Sequence, residues 1–296
     1  MPIIFVTSAG PGSGKTGVAA AVARHYAYQG VPTKLIRFTG EGNAQTDAAF
    51  FASQFFVPGS PGQPQDPASY TSPASRDLDV VEGSPGDVPE GARVVLVSAG
   101  TPGETPEGLQ PAVQVVTRVA RQDLGTMPAT QGDTPVCAIV EDRTLAGFSV
   151  EDVKRALFAE VLVDVEPQDT TCDHLVVAPI GSDAGQPYFR RFQRAAVVAR
   201  YDKTDMHLAA LRGEPVVLVL TGGRNPSEYT YDASRAAGVP LLLSRTDTEN
   251  TIIALEGIFD ETRFEGQAKL DRMAELIESA NPFDALAIET AAAQGA

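Results

Sequence analysis

The chain has 296 residues, 43% of them hydrophobic, and a formal net charge of −15. That length predicts about two domains of roughly 150 residues, and the acidic balance excludes a non-specific binder of nucleic-acid phosphates, which needs surplus Lys and Arg. Cys137 and Cys172 are far apart and lack metal-ligand spacing, so they read as reduced core thiols. No secretory signal fits the start, because the stretch from Gly10 to Lys15 breaks its apolar run. No segment approaches the ~20 apolar residues of a membrane helix. A cytoplasmic protein with neither nucleic-acid nor membrane partners is expected.

In chain order, Ile3-Ile4-Phe5-Val6 reads as a buried strand and residues 18–23 as a helix. Residues 33–38 form a second strand and 48–52 a short helix. Residues 57–89, rich in Pro, Gly, Ser and Asp, read as a long irregular excursion. Residues 92–97 are counted as the third strand. Residues 112–119 fit a strand or a helix, and periodicity leaves both open. A breaker-rich segment at 125–134 precedes a strand at 136–140. In the second half, residues 150–158 form a helix capped by Ser149. Strands are expected at 174–178, 195–199, 216–220 and 239–243. Helices are expected at 204–211, 231–237, 248–258 and 266–278. Alternation of strand and helix in both halves predicts two α/β domains with mainly parallel sheets.

The turn Ala9-Gly10-Pro11-Gly12-Ser13-Gly14-Lys15-Thr16 joins the first strand to the first helix. Glycines let backbone N–H groups turn inward around phosphate oxygens, and the helix N-terminus adds partial positive charge. Lys15 can reach the β- and γ-phosphates, and the Thr16 hydroxyl can bind Mg²⁺. This arrangement resembles the phosphate-binding loop of P-loop NTPases, with Ala9 in place of the usual first glycine. It implies nucleotide contacts from Gly10, Gly12, Ser13, Gly14, Lys15, Thr16 and Gly17. The implied cofactors are ATP, or another nucleoside triphosphate, and Mg²⁺.

Two further pieces follow in order. The second strand ends in basic Arg37, and Gln45-Thr46-Asp47-Ala48 comes next. With the loop, these resemble the dethiobiotin synthetase-like branch of P-loop NTPases, which includes the amino-terminal region of some phosphate acetyltransferases. The resemblance implies a metal-proximal acid at Asp47, beside Thr16 as metal ligand, and a phosphate or substrate contact at Arg37, with Lys15 and Arg37 as catalytic candidates. A helix N-cap at Asp47 and a solvated strand end at Arg37 are the alternative readings. The family carries a glutamate after its third strand, and Val97-Ser98-Ala99-Gly100 puts Ser98 there. Its Asn-containing segment near the adenine base has no counterpart between Val119 and Val136.

The second half carries Asp202-Lys203-Thr204-Asp205, then an apolar helix, then Leu220-Thr221-Gly222-Gly223, Gly238-Val239-Pro240 and Arg245-Thr246-Asp247-Thr248. In that order they resemble the DRTGG domain, and Ile139-Val140-Glu141-Asp142-Arg143 resembles the linker joining the two domains in phosphate acetyltransferases. The acetyl-transfer region of those enzymes does not follow. The expected fold is therefore α/β: a P-loop NTPase three-layer parallel-sheet domain at residues 1–145, a DRTGG-like α/β domain at 146–280, and a tail at 281–296. His25, His174 and His207 lie too far apart to suggest a metal triad and read as structural or surface residues.

These readings imply a nucleotide-responsive regulatory protein. Its first domain binds Mg–ATP, and its second senses another small ligand or mediates homo-oligomer formation. The competing reading is an ATP-dependent ligase that activates a carboxylate or carbamate. A scaffold that binds nothing is disfavoured by the intact Gly14-Lys15-Thr16.

Overall fold

A computed structural model describes residues 3–8, 10–40, 42–72, 77–165, 171–178, 188–259 and 262–288. Ala9, which stands at the usual first glycine of the loop, and residues 289–296 of the expected tail lie outside the described residues. The chain divides into two compact units. One comprises Met1–Asp142 with Lys269–Ala296, and the other Arg143–Ala268.

In the first unit the order is β1 (Ile3–Thr7), α1 (Lys15–Tyr28), β2 (Thr33–Arg37), α2 (Ala44–Ala52), β3 (Leu78–Glu82), β4 (Arg93–Ala99), β5 (Pro111–Val119), β6 (Thr130–Gln131) and β7 (Thr134–Val140). The strands form one sheet in the order β2-β3-β1-β4-β5-β7-β6. Its pairs are parallel except for the β6–β7 edge hairpin. Every residue of β1 is buried, as its unbroken apolar run requires of a central parallel strand.

Two expectations change here. Residues 57–89 are not wholly irregular, because β3 lies within them and separates β2 from β1. The strand is short, and its apolar run is interrupted by Asp79, which is buried and accepts a 2.7 Å hydrogen bond from Tyr70. Arg93–Ala99 is consequently the fourth strand. Residues 112–119 are strand, as their β-branched Val113, Val115, Val116 and Thr117 favour.

The second unit runs α3 (Arg143–Ala146), β8 (Phe148–Ser149), α4 (Val150–Leu157), β9 (Glu160–Val163), β10 (Thr171–Cys172), β11 (His174–Val177), β12 (Ala195–Arg200), α5 (Thr204–Leu211), β13 (Val217–Thr221), α6 (Glu228–Ala237), β14 (Leu241–Leu243) and α7 (Thr248–Ile258). Its main sheet is ordered β11-β12-β13-β14-β9, with only β9 antiparallel. Both faces are buried. Val197, Leu218 and Leu241 enter one core cluster, while their chain neighbours Val198, Val219 and Leu242 enter another. That alternation places helices on each side of a parallel sheet. Ser149 caps α4 in a reciprocal box with Asp152, a device contributing about 1 kcal/mol.

The last helices, α8 (Gln267–Ala280) and α9 (Phe283–Leu286), correct the expected boundary. From Lys269 onward they count with the first unit, rather than with residues 146–268 or a separate tail. Leu270, Met273, Ile277 and Leu286 are buried there. Asp271 pairs with Arg24, and Glu278 meets His25 Nδ1 at 2.5 Å. The His25 ring stacks on Phe283 with centroids 3.5 Å apart. An amphipathic helix written in sequence does not say which sheet it covers; those partners do.

At Gly147 a Cβ would lie 2.7 Å from the Cys172 carbonyl oxygen and 2.8 Å from the Thr171 side chain. Gly147→Ala should therefore destabilise the chain by about 1–3 kcal/mol, read as a lower midpoint in urea unfolding. An unchanged midpoint would show that the β8–β10 ladder yields without cost.

Candidate functional site

The loop between β1 and α1 is built on glycine backbone. Gly12 has φ 68° and Gly14 φ 89°, left-handed values that L side chains rarely adopt. Gly14 is the N-cap of α1, and no side chain caps the helix there, so the N–H groups of its first turn have no intrahelical acceptor. The Ser8 hydroxyl donates to the Gly10 carbonyl at 2.6 Å. From below, Thr117 at the end of β5 donates to the Ser13 carbonyl at 2.7 Å. Gly17 is buried within α1.

Beside the loop stands a group of charged side chains on neighbouring parallel strands. Glu82 ends β3, Arg37 ends β2, and the two residues are paired in register. Thr16 Oγ1 donates to Glu82 Oε1 at 3.2 Å. Arg37 Nε lies 3.5 Å from Asp47 Oδ2 and 3.7 Å from Glu82 Oε1, and its guanidinium also donates to the Phe38 carbonyl at 2.8 Å. Arg37 is thus a buried residue, 4% exposed, and not a solvated strand end. Asp47 is not the helix cap either. Asn43 holds that position, and Asp47 lies in the first turn of α2, facing Arg37.

The sequence reading missed Glu82. It placed the family's acid after the third strand but counted residues 92–97 as that strand, which assigned the position to Ser98. In the structure the third strand ends Glu82-Gly83, and Ser98 Oγ instead donates to the Thr101 carbonyl at 2.9 Å. A glutamate therefore stands at the end of the third strand. Gly83 is fixed by packing, since a Cβ there would meet the Phe5 ring at 2.8 Å. The available signal was the short Leu78-Asp79-Val80-Val81 run before Glu-Gly.

Burial pushes the Glu82 carboxyl up from its ordinary 4.5 to about 7, opposed by Arg37, reinforced by Asp47, and opposed further by Lys15 and the Thr16 hydrogen bond. Three buried oxygens in this group have no hydrogen-bond partner among the described residues: Thr7 Oγ1, Ser13 Oγ and Glu82 Oε2. Thr7 and Glu82 end β1 and β3, and Ser13 belongs to the loop itself. Leaving buried oxygens unpaired costs roughly 1–3 kcal/mol each. An anionic ligand with its cation would satisfy the hydroxyls and the carboxylate respectively. Among the described residues no group of three or more His, Cys, Asp or Glu is placed to hold a metal. A cation here would rest on Thr16, one or two carboxylates and ligand oxygens, as Mg²⁺ commonly does.

In the second unit, the sequence landmarks meet at the C-terminal ends of the parallel strands. Gly222 N–H donates to the Thr246 carbonyl at 2.8 Å and Gly223 N–H to the Ser244 carbonyl at 3.1 Å. Thr221 and Thr248 hydroxyls lie 2.8 Å apart, and Ser244, Thr246 and Thr251 form a closed hydroxyl cluster. His207 is fully buried and sits 2.7 Å from the Arg200 carbonyl and 3.0 Å from Thr230 Oγ1. The carbonyl can only accept, so Nε2 donates to it. Burial lowers the pKa of this imidazole, so its neutral form accepts at Nδ1 from Thr230. His207 is structural, as the sequence suggested.

The carboxylate of Glu82 makes the first unit pH-sensitive. Its folded pKa is raised from 4.5 to about 7, so the folded chain holds more protons across that interval. Stability from this group is present below the lower value and lost as pH rises through the higher one. Glu82→Gln should remove that decline, read from urea unfolding between about pH 4 and about pH 8. Parallel pH profiles for the two proteins would mean that Glu82 is ionised throughout.

Residues 152–258 match the DRTGG domain family, and the chain contains a DRTGG domain over that segment. Among solved structures, it is similar to the CBS and DRTGG domains of the regulatory region of Clostridium perfringens pyrophosphatase, crystallised with an activator, diadenosine tetraphosphate. The identity is 14% and the TM-score 0.31, over 39% of this chain and 50% of that one. This chain therefore spans half the length of that one, and a likeness of this size carries no argument about ligand. No described helix is long and apolar enough to cross a membrane.

Proposed function

We propose that the first unit binds a nucleoside triphosphate, ATP in the first instance, with Mg²⁺ at residues 10–17, and that the protein is a nucleotide-responsive regulator whose response is carried by the DRTGG unit. The observation that carries the reading is that Thr7 Oγ1 at the end of β1, Ser13 Oγ in the loop before α1 and Glu82 Oε2 at the end of β3 are buried and unpartnered among the described residues. A helix N-terminus preceded by a glycine turn favours phosphate, and Lys15 and Arg37 add two cations within this group. Gly10, Gly12, Ser13 and Gly14 would offer backbone N–H groups. Lys15 would neutralise phosphate charge, and Thr16, Glu82 and Asp47 would hold the metal. When bound, Mg²⁺ would neutralise charge on the phosphate oxygens. The DRTGG unit would associate with a second copy or take a second small ligand.

Glu82 favours a second reading, an ATP-dependent ligase acting on a carboxylate or carbamate. At the end of β3 it offers a carboxylate where the sequence suggested only Ser98, which supports this reading. A carboxylate flanked by Arg37 and Asp47 could hold the metal through phosphoryl transfer, which is mostly positioning and charge neutralisation.

Two experiments test these readings. Lys15→Ala should weaken Mg–ATP binding about 10- to 100-fold in calorimetric titration, the worth of one charged hydrogen bond, with an unchanged melting temperature. Equal affinity in both proteins would remove the nucleotide site. Phosphate release should be negligible with Mg–ATP alone, and light scattering of the full chain should change on adding Mg–ATP. Release stimulated by a carboxylate or amine metabolite would instead select the ligase.

A further inference from the structure

One buried hydroxyl ties the glycine loop to β5. Thr117 is 4% exposed, and its Oγ1 donates to the Ser13 carbonyl at 2.7 Å. The same oxygen lies 3.2 Å from the Ser98 carbonyl on β4, so its single hydrogen serves the shorter contact. A Cβ on Gly14 would stand 3.6 Å from the Thr117 side chain, which places the Ser13–Gly14 peptide against it. The strand is distorted at this point. β5 breaks register against β7 between Val116 and Val119, and Arg118 has φ 55°, a left-handed conformation that persists in an L residue only where its surroundings enforce it. They do so on both sides: the Thr117 carbonyl accepts from Gly100 N–H at 2.8 Å, and the Val119 carbonyl from Glu141 N–H at 2.9 Å.

The hydroxyl also sets a direction. No peptide bond among the described residues is cis, and across a trans peptide the C=O and N–H point opposite ways. With the Ser13 carbonyl drawn towards Thr117, the Gly14 N–H is turned away from β5. The strand order β3-β1-β4-β5 puts β3 and β5 on opposite sides of β1, the strand from which the loop springs. Away from β5 is therefore the side of Thr7 and Glu82, whose Oγ1 and Oε2 are buried without described partners. No described residue accepts from the Gly14 N–H, whereas the Gly14 carbonyl accepts from Val18 N–H at 3.1 Å as α1 begins. Resting on the nucleotide reading above, we infer that Thr117 is a positioning residue for phosphate: through the Ser13 carbonyl it holds the Gly14 N–H as a preset donor to a phosphate oxygen. Without that hydroxyl the peptide is free to turn, because glycine tolerates either orientation, and its carbonyl can then face the anion. A donor fixed in advance spares the ordering cost of binding.

Ser13-Gly14 is the chain's sole Ser-Gly dipeptide. Carbonyl-¹³C serine with ¹⁵N glycine, introduced by cell-free synthesis, therefore marks this one amide in the full chain. On adding Mg–tripolyphosphate to wild-type protein, its proton resonance should move downfield and its exchange with solvent should slow. An unmoved signal in a protein that binds the ligand overturns the inference. In calorimetric titration, Thr117→Val, which keeps the shape and removes the hydroxyl, should lose about tenfold in affinity for both Mg–ATP and Mg–tripolyphosphate, the worth of one charged hydrogen bond. Thr117→Ser, which keeps the hydroxyl, should bind within about twofold of wild type. A purely structural role would lower the melting temperature of Thr117→Val and leave its affinity unchanged; that result overturns the inference, as does an equal loss in Thr117→Ser. If Thr117→Val does not fold, the wild-type amide measurement decides. If wild-type protein binds neither ligand, the nucleotide reading itself fails. Binding weakened by Lys15→Ala but not by Thr117→Val leaves that reading standing and removes this inference alone.

Discussion

A carboxylate buried at the end of β3 organises the first unit. Glu82 is 2% exposed and touches both the first turn of α1, through Thr16, and the end of β2, through Arg37. Burying a charge is costly unless it is paired and hydrogen-bonded, and Glu82 is only partly compensated. Its Oε1 has partners, while its Oε2 has none among the described residues. The carboxyl is consequently pushed towards its neutral form. A fold built for stability alone would place an apolar residue here. The arrangement is intelligible if a cation supplies the missing compensation.

That carboxylate reaches the loop only because of strand order. β3 inserts between β1 and β2, pairing in parallel with both. The C-terminal ends of β1, β2 and β3 then lie side by side, as expected of sites in open α/β sheets. Thr117 does the corresponding work from the other side, reaching the loop from β5. The loop is held between these supports, and its own glycines provide the backbone angles.

The second unit uses its strand ends differently. Its hydroxyls are paired with one another, and its buried histidine is satisfied at both nitrogens. A closed network of this kind rigidifies the turn Thr221-Gly222-Gly223 against Arg245-Thr246-Asp247. The chain enters this unit after Asp142 and leaves it before Lys269. Asp142 and Arg272, which flank the insertion, form a 2.8 Å ion pair within the first unit. The points at which the chain leaves and re-enters the first unit are thus tied to each other.

Local signals in the sequence determined much of this molecule. The turn Gly12-Ser13-Gly14-Lys15-Thr16 announced the tight strand-to-helix connection between β1 and α1, because its glycines supply the left-handed backbone angles there. Helices at 204–211 and 248–258 were legible to the residue, and Ser149 announced the start of another through its own side chain. The DRTGG landmarks kept their order and spacing. The tertiary structure decided what depends on distant partners. β3 is five residues long with an acid, Asp79, at its second position, and it is a strand because two parallel neighbours supply its hydrogen bonds. Glu82 became visible only once that strand was counted. α8 has an apolar face that any sheet could bury, and its contacts with Arg24 and His25, with those of α9 against β5, assigned it to the first unit.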